Sequence, residues 1–166
     1  MNEKVSQALV EKYVAFKMAF RDLTFKAAKA AMKEDVYITY AMDAHISEMP
    51  PVLKTELEEH LRRRFGLKVH KPLFFKPTIR QWLKDLFAVY SAEDILLAIS
   101  QSSGIRKDIL EASTINDSTL NRPFLIDLVE DIEAATGRVL LRDGDLVHLG
   151  DGYDYIELAR FFATAE

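Results

Sequence analysis

The chain has 166 residues, of which 49% are hydrophobic and 29% are charged, and it contains no cysteine. The hydrophobic share is sufficient for a buried core, and the lack of cysteine excludes disulfide frameworks, thiolate zinc sites and cysteine nucleophiles. No apolar run approaches the 18 or so residues of a membrane span, and the charged N-terminal segment is unlike a secretion signal. We therefore expect a soluble, cytoplasmic protein with no membrane partner.

The two halves of the chain carry opposite net charges. Residues 1–88 hold 16 Lys/Arg and 11 Asp/Glu, a net charge of +5, whereas residues 89–166 hold 6 Lys/Arg and 15 Asp/Glu, a net charge of −9. This split predicts two domains with different surfaces, a basic one at 1–88 and an acidic one at 89–166. The acidic half would repel phosphates, which argues against nucleic-acid binding by the whole chain.

The N-terminal segment predicts one long amphipathic helix. Its apolar residues recur at spacings of three and four on one face: Val5, Leu9, Tyr13, Phe16, Phe20, Leu23, Ala27 and Ala31. Such a stripe packs on the rest of the chain or pairs with a second copy as a homodimer, and the sequence leaves both open. Residues 35–42 alternate and are rich in β-branched and aromatic side chains, so their state is ambiguous.

Two further helices are predicted in the first half. One follows the proline pair at 50–51, spans residues 52–65 and ends at Gly66, because proline fits a first helical turn and glycine the residue after the last. The other is opened by Pro77 and Thr78 and runs to about Val89. Its predicted buried face consists of Ile79, Trp82, Leu83, Leu86 and Phe87.

The second half predicts two helices separated by a looser stretch. Ser91 is placed to cap the first, with Asp94 three residues later, and this helix ends near Gly104. Its apolar positions are Ile95, Leu96 and Ile99. Asn121 and Pro123 read as the cap and first turn of a helix that ends at Gly137.

The chain then predicts a hairpin and a final helix. Two apolar runs flank the Asp-Gly pair at 143–144, which is typical of a β-hairpin, here over residues 139–149. Gly150 and Asp151 start the last helix. Its candidate core residues are Tyr153, Ile156, Leu158, Ala159 and Phe162.

An internal repeat relates the two halves. Segment 56–69 aligns with segment 127–140 at a shift of 71 residues, which pairs Gly66 with Gly137. At a shift of 70, Ile79, Leu83 and Leu86 meet Leu149, Tyr153 and Ile156. Each half therefore predicts a helix, a glycine exit, a connector and a shorter helix. A chance match between two amphipathic helices that end in glycine is the alternative.

The repeated segments resemble carrier (thiolation) domains. ELEEHLRRRFGLKV followed by LFFKPTIRQWLKDLF is similar to the latter half of a peptidyl carrier domain. LIDLVEDIEAATG with GDGYDYIELARFF is similar to an acyl carrier protein. The resemblance implies a mostly α fold of two small carrier-like helical bundles in tandem. It also implies a setting in fatty-acid, polyketide or nonribosomal-peptide assembly.

The chain departs from that family at the residue that carries its chemistry. A carrier bears phosphopantetheine on a serine at the start of its second helix, about fifteen residues before the terminal glycine. The corresponding residues here are Pro51 and Arg122, which cannot be esterified. Ser118, followed by Thr119 and Leu120, resembles a displaced signature, but Pro123 would then fall inside the helix. We expect no cofactor and a loop or cap role for Ser118, with phosphopantetheine on Ser118 as the alternative.

No pattern in the chain indicates an enzyme. It lacks a nucleophile elbow, a phosphate-binding glycine loop and a paired-histidine metal motif. Glu56 and His60, four residues apart on one helix, favour an ion pair over half a metal site. The aspartates 143, 145, 151 and 154 lack the spacing of a calcium loop, and turn and cap roles account for Asp143 and Asp151.

The densest basic cluster comprises Arg62, Arg63, Arg64, Lys68 and Lys71. One interpretation is a solvated helix end, where cations complement the helix dipole. A second is a protein-docking surface for an acidic partner, such as an acidic carrier protein or a biosynthetic enzyme. A third is a winged-helix-like regulator that places Arg62–Arg64 on nucleic acid. We favour a non-catalytic docking module as the function.

Overall fold

A computed structural model of the chain describes Glu11, Ala15 and Met18 and residues 42–67, 70–115, 120–141 and 154–164. These residues are mostly helical and contain no β-strand, which confirms the predicted fold class. They divide into two compact units, with the boundary between Phe87 and Ala88. A 3-10 turn at Ile46–Glu48 precedes six α-helices: α1 (Pro51–Phe65), α2 (Ile79–Phe87), α3 (Ala92–Ser103), α4 (Lys107–Glu111), α5 (Arg122–Thr136) and α6 (Tyr155–Phe162).

Two expectations concern parts of the chain that are only sparsely described. The long N-terminal helix, and the homodimer through it, lie outside the described residues except at Glu11, Ala15 and Met18, each of which is helical. Within the described part, no helix combines the length and the apolar character that crossing a bilayer requires.

Helix α1 has the boundaries that its flanking residues predict. Pro51 is its first residue, and Gly66 follows its last turn with φ 60°, in the left-handed region where glycine carries no Cβ penalty. Leu53, Leu57 and Leu61 are buried at a spacing of four residues, so one stripe of α1 faces the core of its unit.

Helix α2 is fixed at its start by Thr78. The Thr78 hydroxyl accepts from Gln81 N at 3.2 Å, and Thr78 N donates to Gln81 Oε1 at 3.0 Å, so the two residues form a reciprocal cap. Thr78 also pairs with His45 in an isolated antiparallel bridge, beside which Ile79 N donates to Ala44 O at 2.9 Å. All five residues predicted for the buried face of α2 are buried.

In the second unit, α3 confirms its predicted caps. The Ser91 hydroxyl accepts from Asp94 N, the Asp94 carboxylate accepts from Ser91 N, and Gly104 ends the helix with φ 74°. The main partner of α3 is α6. The stretch predicted to be loose contains α4, a helical turn and a half without a side-chain cap.

Helix α5 confirms the prediction of an asparagine cap and a glycine exit. Asn121 Oδ1 accepts from Phe124 N at 2.9 Å, and Gly137 has φ 75°. The chain after it does not form a strand over residues 139–141. Instead, Leu140 N and Leu141 N donate to Glu133 Oε2 at 2.6 and 3.0 Å. The rest of the predicted hairpin lies outside the described residues.

The start predicted for the last helix was wrong. Helix α6 begins at Tyr155, and its cap is Asp154 rather than Asp151. Asp154 and Glu157 form a reciprocal cap, with Glu157 N donating to Asp154 Oδ1 at 2.7 Å, and this pair determines the first turn. Tyr155 is therefore fully buried, whereas the predicted core residue Ile156 is only half-buried.

The C-terminal segment closes the second unit through Thr164. Its hydroxyl accepts from Tyr90 N at 3.0 Å and donates to Ala88 O at 3.2 Å, and Thr164 N donates to Tyr90 O at 2.9 Å. Both Tyr90 and Thr164 are buried, so no water replaces these bonds if the hydroxyl is lost.

Thr164→Val keeps the shape of the side chain and removes its hydroxyl. Because it leaves the buried Tyr90 N–H without an acceptor, we expect it to lower the free energy of unfolding by about 1–3 kcal/mol. Thr164→Ser retains the hydroxyl and should cost clearly less. Urea unfolding followed by far-UV circular dichroism measures both; equal losses for the two variants would contradict the role of the hydroxyl.

An ion pair joins α4 to α3. Lys107 Nζ contacts the Glu93 carboxylate and lies 3.5 Å from Glu111 Oε1. The hydrogen bond to Glu93 is the main cause that raises the pKa of Lys107 above its ordinary value of 10.5, with a smaller contribution from Glu111. A raised pKa means that the pair stabilises the fold fully below pH 10.5 and loses its effect as the pH rises through the folded-state value.

Glu93→Gln tests this pair. The side chains of Lys107 and Glu93 are 36% and 68% exposed. We therefore expect a loss of only about 0.2–1 kcal/mol at pH 7, as for other solvated pairs. The difference between wild type and variant in free energy of unfolding should shrink above pH 10.5. A difference that is constant from pH 7 to pH 12 would count against the pair as its source.

Candidate functional site

The two long helices start at the positions that matter most for the carrier resemblance. Pro51 is the first residue of α1 and Arg122 the first residue of α5, and each helix has 15 residues followed by a left-handed glycine. A carrier serine would stand at these first positions. The helix boundaries therefore coincide with the sequence alignment at a shift of 71 residues.

The two short helices correct the second part of that alignment. From Ile79 at the start of α2 to Tyr155 at the start of α6, the shift is 76 residues, not 70. At this shift the buried residues coincide as well, since Ile79, Trp82, Leu83 and Leu86 correspond to Tyr155, Leu158, Ala159 and Phe162. The sequence matched apolar letters one helical turn and a half too early.

A backbone bridge joins corresponding segments in each unit. His45, which precedes α1, pairs antiparallel with Thr78, the cap of α2. Thr114, which precedes α5, pairs antiparallel with Asp154, the cap of α6. In both units the cap of the short helix is thus tied to the chain that leads into the long helix.

Ser118, the alternative attachment site for phosphopantetheine, lies outside the described residues. The cap of α5 is Asn121, with its backbone in an extended conformation. A cap role for Ser118 at this helix is therefore excluded.

The structure separates the members of the basic cluster. Arg62 is bound to its own helix, since its Nε and Nη2 donate to Glu58 Oε1 at 3.3 and 2.9 Å. The Arg63 side chain is 72% exposed, and its Nη2 lies 3.8 Å from Glu59 Oε1. Lys71 is exposed, while the Arg64 side chain and Lys68 lie outside the described residues.

A cleft of about 240 Å³ lies in the first unit, on the side of α1 that Arg62 faces. One wall is polar and comes from three successive turns of α1; the facing wall is apolar and comes from the connector and α2. The polar wall contains Lys54, Glu58 and Arg62, and the apolar wall contains Phe74, Trp82 and Leu86. The spacing of four residues was visible in the sequence, but nothing there indicated a facing wall.

The connector that supplies part of the cleft is anchored to α2 by Asp85. This carboxylate is only 6% exposed and accepts from Leu73 N at 2.8 Å. A ring nitrogen of His70 is hydrogen-bonded to the carbonyl oxygen of the same residue. Behind the connector, the rings of Phe65 and Phe87 pack edge to face at 5.3 Å. The cleft therefore rests on a fixed backbone.

Metal chemistry has no visible basis in the described residues, which contain no group of three or more His, Cys, Asp and Glu side chains placed to hold an ion. His60, predicted to pair with Glu56, has a buried Nε2 without a hydrogen-bond partner. The expected ion pair is therefore not made through that nitrogen.

No family model, no curated protein and no solved structure matches the chain.

Asp85→Ala tests the anchoring of the connector. It leaves Leu73 N without the carboxylate, and we expect a loss of about 1–3 kcal/mol in the free energy of unfolding. Asp85→Asn keeps an oxygen acceptor and should lose less than half as much. Trp82 is the single tryptophan of the chain, so its emission during urea unfolding reports on this unit. A variant Asp85→Ala as stable as wild type would show that the contact is not an anchor.

Proposed function

We propose that the protein is a non-catalytic, carrier-like docking module. It would position an enzyme, or occupy a surface that otherwise receives a carrier, in fatty-acid, polyketide or nonribosomal-peptide assembly. The observation that carries this proposal is the identity of the first residues of α1 and α5. Pro51 offers no hydroxyl and Arg122 offers a guanidinium, where a working carrier would present a serine.

The shared plan of the two units supports the carrier-like part of the proposal. Each contains a 15-residue helix with a glycine exit and a short helix whose capping residue is bridged to the chain before the long one. Two units that share a plan but both lack the serine are expected of a module that keeps carrier surfaces and has no use for the carrier's cofactor.

The exposed face of α5 supports the docking part. It carries three exposed acidic residues and one apolar one: Asp127, Glu130, Asp131 and Phe124. Phe124 is 37% exposed in the first turn, so an apolar anchor lies beside the acidic residues. Carriers are acidic on the helix that their partners recognise, and a basic enzyme surface would complement this face.

The basic cluster gives less support to the nucleic-acid alternative. Arg62 is bound by Glu58, and Arg63 lies near Glu59, so a carboxylate stands beside each arginine. A phosphate backbone approaching these arginines would also meet the two carboxylates.

The first test is the intact mass of the protein after co-expression with a broad-specificity phosphopantetheinyl transferase. We expect no mass gain, with a working carrier loaded in the same cells as control. A gain of one phosphopantetheine that disappears in Ser118→Ala would overturn the proposal and make the chain a working carrier.

The second test asks whether the chain competes for carrier-binding surfaces. We expect the folded protein to inhibit loading of a working carrier by the transferase, and the double variant Asp127→Asn/Glu130→Gln to inhibit at least fivefold less. Asp108→Asn removes an exposed charge from α4 and serves as the matched control. Absence of inhibition, or an equal loss in Asp108→Asn, would contradict docking through α5.

A further inference from the structure

The polar wall of the cleft in the first unit stands where the second unit has core. Counted from the start of each helix, Lys54 and Glu58 in α1 correspond to Leu125 and Val129 in α5. Leu125 and Val129 are 2% and 0% exposed. The same helix face is therefore filled with apolar side chains in one unit and opened as a charged cleft in the other. Charged side chains facing a partly enclosed space are costly unless something pairs with them.

The charges on this wall leave one cation over. Glu58 is engaged by Arg62 through two hydrogen bonds to one oxygen, so these charges offset each other. Lys54 makes no ion pair with any described residue, and its half-buried side chain lines the same space. The wall therefore presents an ammonium group that an anion can pair with.

Arg62 supplies a second, independent indication of a missing acceptor. Its Nη1 is buried and has no hydrogen-bond partner in the structure. A buried guanidinium N–H without an acceptor is unfavourable, and a small rotation of the side chain within the cleft would offer it to a bound oxygen. Lys54 and Arg62 lie two turns apart on α1, with Glu58 between them.

The facing wall and the size of the cleft define the rest of the ligand. Phe74 and Trp82 are 4% and 6% exposed and line the space, so they would cover an apolar body. A volume of about 240 Å³ lies at the small end of ligand sites and suits one ring with a short chain.

We propose that this cleft binds a small carboxylate with an apolar body, its head group on Lys54 and Arg62 and its body against Phe74 and Trp82. This site is independent of the docking face on α5. Failure of ligand binding would leave the transferase results unchanged, and the reverse also holds.

The sole tryptophan makes the cleft directly measurable. Trp82 emission and isothermal titration calorimetry would be recorded with 4-phenylbutyrate, with the uncharged 4-phenyl-1-butanol and with butyrate, which lacks the ring. We expect saturable binding of 4-phenylbutyrate and at least tenfold weaker binding of the other two. No saturable binding of 4-phenylbutyrate by either method, or equal affinity for the alcohol, would overturn the proposal.

A matched pair of variants locates the head group. Lys54→Met should weaken 4-phenylbutyrate at least fivefold and leave binding of the alcohol unchanged. Arg63→Met removes the same charge from the exposed side of the same helix and should have no effect. An equal loss in both variants would show that the overall charge, rather than the cleft, attracts the anion. Unchanged urea midpoints verify that both variants are folded.

Discussion

The position of each short helix depends on a single residue with two roles. Thr78 and Asp154 cap α2 and α6 with their side chains, and their backbones bridge to the chain that leads into the long helix. A cap satisfies a backbone donor that the first helical turn leaves unpaired, so it fixes where the helix begins. The bridge then fixes that beginning against the entry to α1 or α5. In the first unit, this arrangement sets the distance between the two walls of the cleft.

The same constraint explains why the repeat is clearer in the structure than in the sequence. The long helices correspond at a shift of 71 residues and the short helices at a shift of 76, so the second connector is five residues longer. A loop absorbs this difference at little cost because closure entropy grows slowly with length. An alignment of letters cannot see which residue caps a helix, and it therefore placed the short helices at the wrong register.

How much the sequence predicts depends on how local the signal is. The boundaries of α1, α3 and α5 follow from proline, serine, asparagine and glycine at their ends, which act within one turn, and those predictions are confirmed. The start of α6 was missed because Gly150 and Asp151 resemble a helix start, whereas the cap depends on the pair Asp154 and Glu157. The cleft was missed for a different reason. Lys54, Glu58 and Arg62 read as a solvated stripe until the connector is placed opposite them by Asp85, a contact across twelve residues.

The two long helices show how one backbone plan supports two different surfaces. In α5, the fourth and eighth residues are buried leucine and valine, and the exposed face is acidic around Phe124. In α1, the same positions are Lys54 and Glu58, and the side of the helix that closes the core in one unit opens a cleft in the other. Burying a leucine contributes about 1.5–3 kcal/mol, so replacing it with a lysine forgoes stability unless the new side chain has a use. A unit without a cofactor serine has its remaining chemistry in such side chains, and in the first unit they lie along a single face of α1.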